Sequence, residues 1–219
     1  MEKVRYLTFD CYGTLVDWRS GIEKALVRIV GPGAPRGAEL ASVYGRLEKQ
    51  EETPYKRYRD VLKNTARALG RTVGVEVTES QAAEFAESLP GWPVFPDTTR
   101  SLRRFGEMGL KRFILSNVDD DLLSQTIANG RLEVDGFVTA QETRSYKPSH
   151  GHWERFMAKT GASRVEFLHV GQSVYHDMIP AQEIGIASAW VNRYAEPLPG
   201  AAQPSYIVDS LDSLVRIIG

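Results

Sequence analysis

The chain has 219 residues, with 27 Lys plus Arg against 28 Asp plus Glu and a net charge of -1. Its 42% hydrophobic and 25% charged residues suit a folded protein with a real core, large enough for one α/β domain or a core with a smaller insertion. The charge balance excludes a basic footprint for nucleic acid or an anionic membrane, so a small anionic ligand needs a local basic site. The single cysteine, Cys11, excludes an intrachain disulfide and points to a reducing compartment.

In chain order, the charged start Met1-Glu2-Lys3 leads into a first predicted strand, Val4–Phe9. From about Asp17 to Pro90 no strand pattern occurs, and several helices are expected, broken at Gly31-Pro32-Gly33-Ala34-Pro35 and at Gly70–Gly74. Within that region Leu47–Ala68 keeps Tyr55, Tyr58, Val61 and Leu62 at helical spacing. Leu89–Pro96, with three prolines and one glycine, marks the return to the sheet. Apolar β-type runs then follow at Arg112–Leu115, Gly136–Thr139, Phe167–Val170, Ala187–Val191 and Tyr206–Val208. They alternate with amphipathic stretches at Arg100–Met108, Asp120–Ala128, Gly151–Lys159 and Ile179–Ile184, a pattern of parallel-sheet crossovers. Asp209 can cap a terminal helix over Ser210–Ile218. The expected organisation is a sheet core from 1–16 and 91–219 with a helical insert over 17–90. No apolar stretch approaches the about 20 residues that span a bilayer, so a cytoplasmic protein is expected. Aromatic residues exposed on the insert could support a homodimer.

Ligands of open parallel sheets bind at the carboxyl ends of strands, so the residues after each apolar run carry the functional signal. Asp10-Cys11-Tyr12-Gly13-Thr14 follows the first strand and Ser116-Asn117 the second. Ser145-Tyr146-Lys147-Pro148 follows the third, and Gly171-Gln172-Ser173 with His176-Asp177 the fourth. In a dry pocket the Asp10 carboxylate can act as a nucleophile. Lys147 would favour its ionised form and stabilise negative charge. Ser116 and Asn117 supply donors for a carboxylate or a departing anion, and Asp177 could hold Lys147 or position a water. Gly13 permits the tight turn that exposes Asp10. Taken singly, Asp10 reads as a helix cap, Lys147 as a solvated lysine and Ser116-Asn117 as a turn. Their recurrence at successive strand ends reverses that reading. Asp119, Asp120 and Asp121 read as first-turn acids of a helix. His150, His152, His169 and His176 show no metal-ligand pattern, so no metal is expected.

The runs FDCYGTLVD, ILSN, YKP and GQSVYHD, in this order, resemble the four motifs of the haloacid dehalogenase superfamily. The resemblance implies a Rossmann-like parallel core with an inserted helical cap. Many members are Mg²⁺-dependent phosphatases with a second aspartate two residues after the nucleophile and an acid after the glycine of the fourth motif. Here those positions hold Tyr12 and Gln172. The first motif is similar instead to the L-2-haloacid dehalogenases, which use no metal or other cofactor. That similarity implies attack by Asp10 on the halogen-bearing carbon of a small anionic 2-haloacid, then hydrolysis of the aspartyl ester to a 2-hydroxy acid. It also implies that Tyr12 and Thr14 shape the pocket around Asp10, that Ser116 holds the substrate carboxylate and that Asn117 lies near the halide. Lys147 and Asp177 would support nucleophile and water, and Arg46 of the insert, with Arg57 and Arg59 as competitors, would grip the substrate anion. Gln172, Val174 and Trp153 depart from the family pattern, as a divergent branch would. Two other readings stand beside this one: a Mg²⁺-dependent phosphatase retaining Asp10, Lys147 and Asp177, and a binding protein that has lost the chemistry.

Overall fold

The computed structural model describes residues 4–31 and 33–219; Met1-Glu2-Lys3 and Pro32, named above as chain start and breaker, lie outside them. Strand β1 (Tyr6–Phe9) is followed by helices α1 (Trp18–Val30), α2 (Gly37–Glu51), α3 (Tyr58–Thr72) and α4 (Glu79–Ser88). Then come α5 (Thr98–Glu107), β2 (Lys111–Ser116), α6 (Asp120–Gly130), β3 (Gly136–Thr139), α7 (Ala140–Thr143) and α8 (Gly151–Thr160). The chain ends with β4 (Phe167–Gly171), α9 (Ile179–Glu183), β5 (Ala187–Val191), β6 (Tyr206–Val208) and α10 (Leu211–Ile218).

All six strands lie in one parallel sheet of order β3-β2-β1-β4-β5-β6. Their apolar runs explain it: Leu7, Phe9, Ile114, Leu115, Val138, Phe167, Leu168, Val170, Ala189, Trp190 and Val191 are all buried, as in a sheet covered on both faces. Leu115, Val138, Trp153, Phe156 and Phe167 form one cluster with Ala181 and Ile186, each large side chain contributing roughly 1.5–3 kcal/mol by leaving water. The strand order reverses at β1, flanked by β2 on one side and β4 on the other. The carboxyl ends of these three strands are therefore where a ligand crevice forms.

The chain divides into two compact units. The first holds the sheet, with the residues up to Val16, Val94–Asn117 and Arg131–Gly219; the second holds Asp17–Pro93 and Val118–Gly130. This division differs from the sequence expectation at 91–93 and 118–130, because α6 packs with the helical unit. Asp119, expected to act only on its own helix, is instead buried inside that unit, where its carboxylate accepts from the backbone N–H of Tyr58 (3.1 Å) and Arg59 (3.0 Å). It thereby caps α3, whose first N–H groups have no partner in the helix.

The helical pattern over Leu47–Ala68 is interrupted: α2 ends at Glu51 and α3 starts at Tyr58. Pro54 lacks a backbone donor and pushes Thr53 away from helical geometry. The terminal helix is capped by Ser210, which accepts from Ser213 N, rather than by Asp209. Among the described residues of the insert, where exposed aromatics are expected, Tyr44, Tyr58 and Phe85 are buried. No described helix is long and apolar enough to cross a membrane.

Candidate active site

Asp10 is placed by the sheet. Its N–H donates to Val170 O at 2.9 Å, extending the β1–β4 pairing one step beyond the strand. The chain then turns sharply: Leu15 and Val16 both donate to Cys11 O, at 2.8 and 2.9 Å, and Gly13 adopts φ 111. Only glycine takes that conformation without strain. The turn brings Thr14 back onto Asp10. Thr14 Oγ1 donates to Asp10 Oδ2 at 2.9 Å and accepts from Gln172 N at 2.9 Å, linking the ends of β1 and β4. Tyr12 lies half-buried in the same turn.

Lys147 Nζ makes three short contacts: to Asp10 Oδ1 at 2.9 Å, Asp177 Oδ1 at 2.7 Å and Leu115 O at 3.0 Å. An ammonium has three N–H donors, so none is left over. The lysine side chain is 1% exposed, Asp177 0% and Asp10 13%, so of the three only the nucleophile candidate retains appreciable access. Asn117 holds the lysine backbone at two points, accepting from Lys147 N at 2.7 Å and donating to Lys147 O at 3.0 Å. One N–H of its carboxamide remains beyond that clamp.

Burial alone would push the Lys147 ammonium down, but the carboxylates of Asp10 and Asp177 outweigh it and hold it above the ordinary lysine range. Burial would likewise raise Asp177, yet Lys147 and a hydrogen bond from His169 hold it well below the carboxylate range. Asp10 moves the other way. Burial raises it, Lys147 opposes, and the neighbouring Asp177 charge adds to the rise. Cys11 is no rival nucleophile, because burial and then Asp10 push its thiol well up.

Ser116 ends β2, and its Oγ is buried without a hydrogen-bond partner among the described residues. His152 is buried, with Nε2 3.1 Å from Ser116 O; a carbonyl only accepts, so Nε2 carries the proton. Burial, and then the Lys147 charge, push this imidazole down to about 3, so it is neutral.

Three residues, His169, Gly171 and Arg193, gain their roles only in the fold. His169 joins Asp177 Oδ1 from β4, with Nε2 at 3.1 Å. Gly171 makes room for the Asp177 carboxyl, since a Cβ there would lie 2.7 Å from Cγ. Asp177 itself sits in a single π-helical turn, Val174–Met178, that folds it back onto the strand end. Arg193 donates to Thr14 O from Nε at 3.1 Å and Nη2 at 2.7 Å, and pairs with Asp97 at 3.1 Å. A histidine inside an apolar strand could have signalled the first and the strand-end cluster contains the second, but nothing local marks Arg193.

The expected arginines all lie in the second unit. Arg57 pairs with Asp119 at 2.9 Å, and Arg59 with Asp121 at 2.6 Å and with Glu87. Arg46 is exposed on α2 and has no ion pair among the described residues.

A family model described as a haloacid dehalogenase-like hydrolase matches residues 4–185. The chain is 27% identical to the haloacetate dehalogenase H-2 of Moraxella sp. (strain B), covering 100% of this chain and 99% of that protein. It is 24% identical to the (S)-2-haloacid dehalogenase of Pseudomonas sp. (strain YL), covering 99% and 95%. Its fold is similar to that of the L-2-haloacid dehalogenase from Xanthobacter autotrophicus with chloropropionic acid covalently bound, with TM-score 0.87, 23% identity and 98% of each chain covered.

Proposed function

The chain belongs to the haloacid dehalogenase-like hydrolases, and from that premise we propose that it hydrolyses the carbon–halogen bond of a short 2-haloacid. The observation that carries this reading is a half-closed carboxylate, Asp10, tied to a buried ammonium, with Tyr12 at the position where a phosphatase keeps its proton donor. Asp10 attacks C2 of the haloacid opposite the halogen, forming an ester as halide departs. Halide leaves without a proton, so this step needs no general acid. Water then attacks the aspartyl carbonyl, the ester C–O bond breaks, and a 2-hydroxy acid of inverted configuration leaves with one proton released. Lys147 balances the charge that develops on Asp10.

The unpartnered Ser116 hydroxyl supports its assignment to the substrate carboxylate. The spare Asn117 N–H supports a contact to the departing halide. The second unit is read as a cap, and among its arginines Arg46 is favoured because Arg57 and Arg59 are committed to carboxylates. The names of the relatives, one for haloacetate and one for (S)-2-haloacids, support the substrate class. A cytoplasmic setting fits the free, buried Cys11.

The residues present do not fit the divalent-cation site of a phosphatase. Gln172 offers an amide where an acid would be needed, and its Nε2 is already directed at Glu196 Oε2. Asp10 and Asp177 both bind the same ammonium. The test is halide release from chloroacetate and (S)-2-chloropropionate in the presence of a chelator. The expected result is turnover that Asp10→Asn abolishes. Turnover of a generic phosphate ester on adding Mg²⁺, with no halide from either acid, would replace this reading with the phosphatase.

A further inference from the structure

We infer that His169 is a positioning residue for the ester-hydrolysis half of the reaction: it fixes the Asp177 carboxylate so that Oδ2 alone is left to take the attacking water. The inference rests on the proposed dehalogenation and adds a residue and a division of labour to it.

His169 stands in β4 directly opposite Thr8 of β1 and is fully buried, with the Trp153 ring edge-on at 5.0 Å. A polar ring inside a sheet is costly unless its nitrogens are hydrogen-bonded. Both are: Nδ1 lies 2.9 Å from Thr8 Oγ1, and Nε2 lies 3.1 Å from Asp177 Oδ1. The ionised carboxylate only accepts, so Nε2 carries a hydrogen and donates it. Lys147 donates to that same Oδ1 at 2.7 Å. Two donors therefore converge on one oxygen of Asp177.

The other oxygen is left bare. Asp177 Oδ2 is buried with no hydrogen-bond partner among the described residues. A buried carboxylate oxygen without a donor is rare and costly. It also lies against Gly171, where a Cβ would come within 2.8 Å of it. A water donating to Oδ2 would satisfy this oxygen, on an acid that Lys147 links to Asp10.

The two half-reactions call on Asp177 differently. Displacement of halide moves no proton. Hydrolysis forms a bond from water oxygen to the Asp10 carbonyl carbon and breaks the ester C–O bond. The alkoxide takes one proton, and a second proton leaves to solvent. A water whose proton points at a fixed Oδ2 is aligned for that attack. Lys147 touches both acids, so its loss disturbs both steps. Of the two acids His169 touches only Asp177, so its loss falls on hydrolysis.

Amide side chains separate the two nitrogens of the ring. In His169→Gln the new N–H₂ would lie near the former Nε2, facing Asp177. In His169→Asn the shorter amide reaches only the former Nδ1 position, facing Thr8. The substitutions to compare are thus His169→Gln, His169→Asn and His169→Leu, with 2-chloropropionate as probe. A rapid-mix halide burst reports displacement, and steady-state halide release reports the whole cycle. Mass spectrometry of acid-quenched enzyme reports the ester on Asp10. In His169→Asn and His169→Leu the burst rate stays near wild type while kcat falls about tenfold to a hundredfold, the range for a lost hydrogen bond to a charged group. KM falls with kcat, and ester accumulates. His169→Gln recovers most of kcat. If His169→Leu does not fold, the two amide variants still decide the matter, both being polar and of similar bulk. Equal loss of burst and kcat without ester, or equal behaviour of the two amide variants, overturns the inference. Absence of halide and ester in the wild type overturns the dehalogenase reading itself, a distinct result.

Discussion

Lys147 is the side chain on which the acids of the site depend. Replacing it by Met would leave Asp10 and Asp177 close together without a counter-ion, and removal of one partner from so buried a pair costs about 3–5 kcal/mol. The pH dependence follows from the directions of the shifts. Asp10 must be ionised to attack, and burial with the Asp177 charge raises its pKa. Halide release should therefore fall, as pH drops, through a value above the about 3.9 of an ordinary aspartate. Lys147→Met removes the main influence lowering Asp10, so any residual activity should show its acid limb at still higher pH, read from the pH profile of kcat/KM. Asp177 has the opposite sign. Its folded-state pKa is depressed, so its stabilisation is present above the unfolded aspartate value and is lost only as pH falls through the lower folded value.

At the scale of elements, the turn after β1 is held from outside by Arg193. This side chain is 8% exposed, donates two N–H groups to Thr14 O and stacks on Phe95 with its guanidinium carbon 3.9 Å from the ring centroid. Its partner Asp97 also accepts from Leu211 N at 2.7 Å, at the start of α10. The β1 turn, the segment before α5 and the terminal helix thus meet at one guanidinium–carboxylate pair, and a lysine lacks the forked geometry of its cation. Arg193→Lys should lower unfolding free energy by about 1–3 kcal/mol through lost charge-assisted hydrogen bonds. It should lower kcat as Thr14 loses its hold on Asp10. Urea denaturation and halide kinetics measure the two effects, and unchanged kcat in a folded Arg193→Lys protein would contradict the second.

At the scale of the whole molecule, the assignment of Arg46 is open to a direct test. Loss of a charge-assisted contact to the substrate carboxylate costs about 1.5–3 kcal/mol, so Arg46→Ala should lower kcat/KM about tenfold to a hundredfold. The same change in Arg57 or Arg59 should act mainly on stability, through their pairs with Asp119 and Asp121. An Arg46→Ala enzyme with unchanged kcat/KM, beside a damaged Arg57→Ala enzyme of normal stability, would move the role to Arg57.

The strands at Gly136–Thr139, Ala187–Val191 and Tyr206–Val208 were legible to the residue, because an apolar run ended by turn residues is a local signal. Asp10, Thr14, Lys147 and Asp177 were legible as a set, because each follows such a run and parallel strands bring their carboxyl ends together. The break between α2 and α3 was hidden by apolar spacing that continues across Pro54. Contacts between distant segments were hidden altogether: His169 meets Thr8 across 161 positions and Arg193 meets Thr14 across 179. The sequence by itself therefore determined the sheet, its strand ends and the chemical groups placed there, because periodicity and turn chemistry act over a few residues. Only the tertiary structure decided which oxygen of Asp177 is left without a partner, which arginines are already neutralised and with which unit α6 packs. Those depend on which distant donors arrive at the same buried place, and no local pattern encodes that.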